Sequence, residues 1–328
     1  MNGQTKILKG SRLAALLLTL VPLLMFLAVV SNLVYASLPA LTQAGLPVLF
    51  STVFSTIFSG TYVEGQYGLT PSLWGTFLLL ITALLIAFPV SLAMAIFATE
   101  FSVRGVGQAI EPVLALFSGI PPILYGLLSV FVLTAFIQPK FTGMDLPDPL
   151  LRSMPGLSPA IYVLLPRNNS ILLGGIMIGL LIIPFMAPLM LDAIRSVPQS
   201  MKEASLALGA TRWHTLGHVT LPAALSGIAA ALSLGALKTI GEVVIAAWTI
   251  GYIANGLPVP LFDILEDKAP LASAAAGLMS GLIPGGSPRH PLDGSVAYFS
   301  GLLLLLMAFA IMGAVSLAQR YLRRRFAR

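Results

Sequence analysis

Cysteine is absent from all 328 residues, which removes disulfides, thiol nucleophiles and thiolate metal sites together. Histidine is scarce: two of the three, His214 and His218, stand on one polar stretch, so no buried metal centre is expected. Charge is scarce as well. Asp, Glu, Lys and Arg supply 9% of the chain, against roughly a quarter in a soluble domain. That excludes an ordinary soluble domain. A Gly-x-x-x-x-Gly-Lys-Ser/Thr string is also missing, so ATP is not expected to bind this chain and no other cofactor is implied. The net charge of +6 would suit nucleic acid, but the basic residues form no separate domain. Nucleic acid is therefore not an expected partner.

What is abundant is apolar length, with 57% of residues hydrophobic. Six runs are long enough to cross a bilayer as helix, about 20 residues each, near 13–36, 73–98, 108–137, 171–195, 223–252 and 297–320. An all-α, polytopic protein follows. Its parts are a leader (1–12), a first span (13–36), a connector (37–72), a core (73–320) and a basic tail (321–328). Outside the spans, twelve Lys and Arg fall on the side of the termini and the 196–222 loop. Five (Lys140, Arg152, Arg167, Lys268 and Arg289) fall on the other. The positive-inside rule then puts both termini and that loop in the cytoplasm, with 37–72, 138–170 and 253–296 outside. No small-residue cleavage site follows the first run before Tyr35, so it is expected to stay as an anchor. Pro47–Phe58 is apolar but too short to span. The arginine-rich tail fits anionic lipid headgroups.

The polar stretch from Ser196 to Pro222 is written like two short helices joined at a glycine. Ser196 with Gln199 reads as a capping box, with Pro198 in the first turn. Gly209 stands where a helix end needs a left-handed residue. Thr211 is placed to cap a second helix, and Leu221-Pro222 to stop it. A capped amphipathic hairpin between two spans suits a groove on a soluble partner. Glu203-Ala204-Ser205, then Gly209, Val219 and Leu221-Pro222 resemble the EAA loop of ABC importer permeases, with Ser205 and Val219 as mild departures.

Two earlier strings carry the resemblance further. The second span has Gly75-Thr76, a mid-span Pro89 expected to kink it, and Ala95-Ile-Phe-Ala-Thr-Glu100 at its end. These look like the permeases of phosphate importers. The third span holds Ser118-Gly119-Ile120-Pro121-Pro122 and Tyr125-Gly126. Adjacent prolines remove two backbone donors and disfavour a continuous helix. Such breaks survive in a membrane only where protein or water covers the freed backbone. From this physics alone a broken helix lining a path and a simple packing kink stand equal; the similar string in phosphate permeases favours the path.

The fourth span carries Gly175-x-x-x-Gly179, and the fifth carries Gly227, Ala231 and Gly235 four apart; both patterns allow close helix approach. Leu237-Lys238-Thr239-Ile240-Gly241-Glu242 follows. In a straight helix Lys238 would lie about 24 Å from Pro222, deep in the bilayer, where a charge costs about 2.5–3.5 kcal/mol to insert. Two readings stand: Lys238 and Glu242 neutralise each other across one helical turn, or Lys238 offsets the charge of a crossing anion while Glu242 holds and orients it. Thr239 adds a neutral donor in the second. Phosphate permeases have a similar basic-x-x-Gly-Glu string, usually with Arg. The lysine here is a point charge without a bidentate fork.

The resemblance covers Tyr67 to about Ala275 and implies the MetI-like fold of ABC importer permeases. It implies a transport path, not an enzyme: Glu203, Ala204, Gly209, Leu221 and Pro222 would couple to ATPase subunits. Lys238, Thr239, Glu242, Gly119, Pro121, Pro122 and Tyr125 would line the path. The implied partners are ATP-binding subunits, a second permease of the same or a different sequence, an external solute-binding protein, phosphate and lipid, in a bacterial inner membrane. Pro-Leu-Phe-Asp followed by Ala-Ser-Ala resembles the longer of the two permease types. Another oxyanion or a phosphonate remains an alternative cargo. A polytopic membrane enzyme is the competing class, but Glu111, Asp192, Lys238 and Glu242 are meagre equipment for acid–base work. A channel would need a filter loop that the sequence does not display.

Overall fold

In the computed structural model, residues 2–51, 68–102, 104–133, 170–251, 262, 269–280 and 292–326 are described. Among them every regular element is helical. We number the α-helices α1 (Asn2–Pro39), α2 (Leu46–Leu49), α3 (Thr70–Ile96), α4 (Arg104–Ser118), α5 (Pro122–Leu128), α6 (Ile171–Arg195), α7 (Gln199–Ala207), α8 (Arg212–Thr215), α9 (Leu221–Ile240), α10 (Val244–Thr249), α11 (Leu271–Ser280) and α12 (Asp293–Phe326). Short π-helical turns follow several of them, notably Phe97–Phe101 after α3 and Leu216–Thr220 before α9.

Five of these segments are long and apolar enough to cross a membrane: Leu17–Ala44, Thr70–Phe101, Ile171–Arg195, Arg212–Ile240 and Asp293–Tyr321. The broken pair Gly105–Ser118 and Pro122–Leu133 makes a sixth if it is one span. Its halves are bent by 87° at Gly119–Pro121, as two adjacent prolines dictate. The first span differs from the expected 13–36 in extent: its helix starts at Asn2, so the leader runs into it without a break. Pro89 lies inside a helix that runs on from Thr70 to Ile96.

The fifth span departs most from expectation. It does not continue to residue 252: α9 ends at Ile240, Gly241–Val243 interrupt it, and α10 resumes at Val244. Helix α10 is held at both ends: Glu242 Oε1 accepts from the Ile245 amide at 3.3 Å, and the Ser170 amide donates to the Thr249 carbonyl at 3.1 Å.

The core centres on α3, α6 and α9. Leu79, Ala83 and Ala87 of α3 meet Ile178, Ile182 and Met186 of α6, and Ala224, Ile228 and Ala231 of α9 join the same cluster. The small-residue faces are used as written. A side chain on Gly175 would stand 2.7 Å from Thr82 Cβ, and one on Gly235 3.0 Å from Met186 Cγ. Dispersion is what such contacts supply in lipid, where burial alone drives nothing.

A second cluster joins the end of α1, α2, α11 and α12 through Ala40, Leu49, Leu271, Val296 and Phe299. The small-residue run Ala272–Gly277 packs over the bundle here. It is fixed by the Leu271 amide donating to Thr76 Oγ1 at 2.8 Å, which is the part Gly75-Thr76 plays. The loops 138–169 and 281–291, the acidic cluster Asp263, Glu266 and Asp267, and Lys140, Arg152, Arg167, Lys268 and Arg289 lie outside the described residues, as does most of Pro47–Phe58.

Candidate functional site

The hairpin between α6 and α9 forms by local rules, though not all of those expected. Thr211 caps α8, its hydroxyl accepting from the His214 amide at 3.2 Å. Gly209 ends α7 with φ of +88°, a conformation that a side chain resists. The capping box at Ser196 does not form. Helix α6 runs to Arg195, the Ser196 hydroxyl donates back to the Ala193 carbonyl at 2.7 Å, and Pro198 takes the N-cap of α7. Leu221-Pro222 does not stop the second helix either. The chain stays helical through Leu216–Thr220, and Pro222 sits in the first turn of α9, where its missing N–H is harmless. A hydroxyl–hydroxyl bond of 2.9 Å between Ser205 and Thr215 closes the two arms on each other.

Glu203, Ala204 and Gly209 are exposed, whereas Leu221 and Pro222 are half-buried where the hairpin joins α9. Exposed apolar groups stand with them: Leu208 is 90% and Trp213 69% accessible. Two ion pairs tie the hairpin region down. Lys202 Nζ lies 2.6 Å from Glu100 Oε1 at the end of α3, with the two side chains only 11% and 20% accessible. Arg195 pairs with Glu111 of α4, both about half accessible. Screening and side-chain entropy leave an exposed pair about 0–1 kcal/mol. Stranding one partner of a buried pair costs about 3–5 kcal/mol, so Lys202–Glu100 is the tie that matters.

Deeper in the bundle, Lys238 and Glu242 do not pair. Helix α9 ends between them, so the one-turn spacing of a continuous helix is lost. Among the described residues no carboxylate lies within 4.0 Å of Lys238. Its ammonium rests instead over the Phe185 ring of α6, 4.1 Å from the centroid. Such a contact is worth about 0.5–2 kcal/mol, less than the roughly 2.5–3.5 kcal/mol that inserting a charge costs. The lysine is half-buried and incompletely offset. Glu242 is 8% accessible, and one of its oxygens caps α10. Thr239 is buried, but its hydroxyl donates to the Gly235 carbonyl at 2.9 Å, so the expected neutral donor is spent inside its own helix.

The third-span residues gather elsewhere. Gly119 and Pro121 are exposed, Pro122 is half-buried, and Tyr125 is buried, its hydroxyl donating to the Phe117 carbonyl at 3.3 Å. Tyr125 borders a cavity of about 540 Å³ walled by apolar side chains, among them Met94, Leu114, Phe117 and Ile183. Lys238, Thr239 and Glu242 do not line it. The two groups are linked at one remove: α5 packs on α10, with a side chain on Gly126 placed 3.2 Å from Trp248 Cβ. Sequence reasoning missed Phe185, which no pattern marks, and the partnership of Glu100, which ends a string already singled out.

Apolar helices broken at two places, with one exposed hairpin tied to their ends, are the architecture of a multi-pass membrane transport subunit. A family model described as the binding-protein-dependent transport system inner membrane component matches residues 91–328. The Bacillus subtilis "Probable ABC transporter permease protein YqgH" is 31% identical over 80% of this chain and 74% of its own length. The "Phosphate transport system permease protein PstC" of Xylella fastidiosa is 31% identical over 72% and 71%, and that of Haemophilus influenzae 28% over 80% and 81%. A bacterial ABC transporter "involved in the import of the acidic polysaccharide alginate" superposes with a TM-score of 0.54 over 94% of both chains. At 17% identity that likeness concerns the fold. The chain belongs to the binding-protein-dependent inner-membrane permeases of ABC importers.

Proposed function

We propose that this chain is one permease of an ATP-driven phosphate importer. Both termini and the hairpin lie in the cytoplasm, and ATP is hydrolysed by separate subunits that take the hairpin in a cleft. A second permease completes the path, and a solute-binding protein delivers phosphate from outside. The observation that carries the anionic cargo is Lys238: a cation inside the bundle, over an aromatic face, with no carboxylate within 4.0 Å among the described residues. The PstC relatives support phosphate as that anion.

Work flows in one direction. Closure of the ATPase pair displaces the hairpin, and the displacement enters the bundle at α6 and α9, which are continuous with it. The breaks at Gly119–Pro121 and Gly241–Val243 are the points where short helices rotate without unfolding long ones. During passage the Lys238 ammonium leaves Phe185 for the anion, and Glu242 keeps α10 capped. No bond is made or broken on this chain, so it carries no catalytic residue.

Uptake of radiolabelled phosphate into vesicles holding the whole complex tests this, with arsenate, sulfate and phosphonates as competitors. ATP-dependent uptake blocked by excess phosphate is expected. Uptake blocked only by another oxyanion or a phosphonate would replace the cargo, an outcome that lysine in place of a bidentate arginine makes worth testing.

A further inference from the structure

The hairpin reaches α6 and α9 through the chain itself, but it reaches α3 only through side chains. Helix α3 is packed along the length of α6 and holds α11 through Thr76, so any rearrangement of the bundle must carry it along. Its contact with the hairpin is concentrated at the Phe97–Phe101 turn. There Glu100 accepts from Lys202 at 2.6 Å, and the Phe101 ring lies 4.5 Å from that of Trp213. Both charged groups are mostly shielded from water, and Lys202 is the buried residue of α7. The Ser205–Thr215 bond makes the two arms one body, so the ion pair on α7 and the ring contact on α8 hold the same object.

We propose that Glu100 and Lys202 form a strut that carries displacement of the hairpin to α3, so that α3, α6 and α9 move together. They are positioning residues and touch no cargo. The inference rests on the reading of the hairpin as the ATPase-coupling element, and it adds a route that the chain's connectivity does not supply. Electrostatics suits a strut, because a shielded pair at 2.6 Å holds its length under load, whereas a solvated pair such as Arg195–Glu111 exchanges with water.

The absence of cysteine makes the test direct. Spin labels are placed on Ala93→Cys in α3 and Ser200→Cys in α7, both exposed positions, in the complete transporter in vesicles. The strut predicts one label-to-label distance with and without ATP in the otherwise unaltered chain, and a distance that changes on adding ATP in Glu100→Gln or Lys202→Met. Transport per ATP hydrolysed should fall on the order of tenfold in each, the usual size of a lost coupling between sites. The exchange Glu100→Lys with Lys202→Glu should recover most of it. A distance that holds in the single variants, or an exchange that recovers nothing, overturns the strut. A single label at position 200 separates the two ideas. If its spectrum ignores the ATPase subunits, the docking reading itself fails and takes the strut with it. If it responds while the distance in Glu100→Gln holds, only the strut fails. The distance needs no identified cargo, so a complex that takes up no phosphate leaves it readable.

Discussion

Helices α1 and α6 are both long, apolar and able to cross a membrane, yet the molecule treats them oppositely. In the most apolar window of α6, 72% of residues are buried; in that of α1, none are. One difference lies in glycines that let neighbours come close. Helix α6 places Gly174, Gly175 and Gly179 where neighbouring backbones and Thr82, Ala83 and Thr249 approach, while α1 presents Leu18, Leu24 and Met25 outward. Lipid tails are as apolar as leucine, so transfer out of water does not choose between these fates; close packing does. Hydropathy therefore finds spans, and the close approaches at Gly174, Gly175 and Gly179 mark α6 as core.

The contrast breaks most severely at Gly175. Gly175→Leu should abolish recovery of monodisperse protein, because the first added carbon already meets Thr82 and little can yield. Recovery by size-exclusion chromatography checks this, and normal yield would show that the α3–α6 seam is loose. A step smaller is the contrast between interior and rim charges. Lys202→Met should destabilise by about 3–5 kcal/mol because it strands a shielded Glu100, and Arg195→Met by no more than about 1 kcal/mol. Thermal unfolding in detergent compares them, and equal losses would refute the ranking.

Lys238 sharpens the contrast in the other direction. Since the Phe185 contact offsets only part of the cost of a half-buried cation in the bilayer, Lys238→Met should stabilise the fold by about 1 kcal/mol while uptake is lost. Stability that falls with the substitution would make the lysine structural. Smallest of all, Leu24→Val on the exposed face of α1 should change stability by less than about 0.5 kcal/mol, and a larger loss would show that this face of α1 is packed.

What could be read from the sequence was local. Thr211 and Gly209 announce a cap and a left-handed residue whatever surrounds them, and Pro121-Pro122 announces a break. Readings that depend on where a helix ends were less legible. Ser196 ends α6 as its C-cap, its hydroxyl donating to the Ala193 carbonyl at 2.7 Å, and the N-cap of α7 falls to Pro198. Pairing of Lys238 with Glu242, one of the two readings open in the sequence, needs a helix that runs through both. Helix α9 instead ends at Ile240 with Gly241 as its C-cap, which parts the two residues, and the Thr239 hydroxyl turns back to the Gly235 carbonyl. Pairs such as Glu100 with Lys202, 102 positions apart, leave no periodic trace in sequence.

Which side of the membrane the hairpin occupies, and what covers it there, decides whether it couples to an ATPase. Leu208, 90% accessible at the end of α7, is the place to ask. A single cysteine at Leu208→Cys, in vesicles of known orientation, should react with an impermeant maleimide from the ATP-accessible face alone and become protected once the ATPase subunits are added. Labelling from the opposite face, or reactivity indifferent to those subunits, would contradict the coupling role.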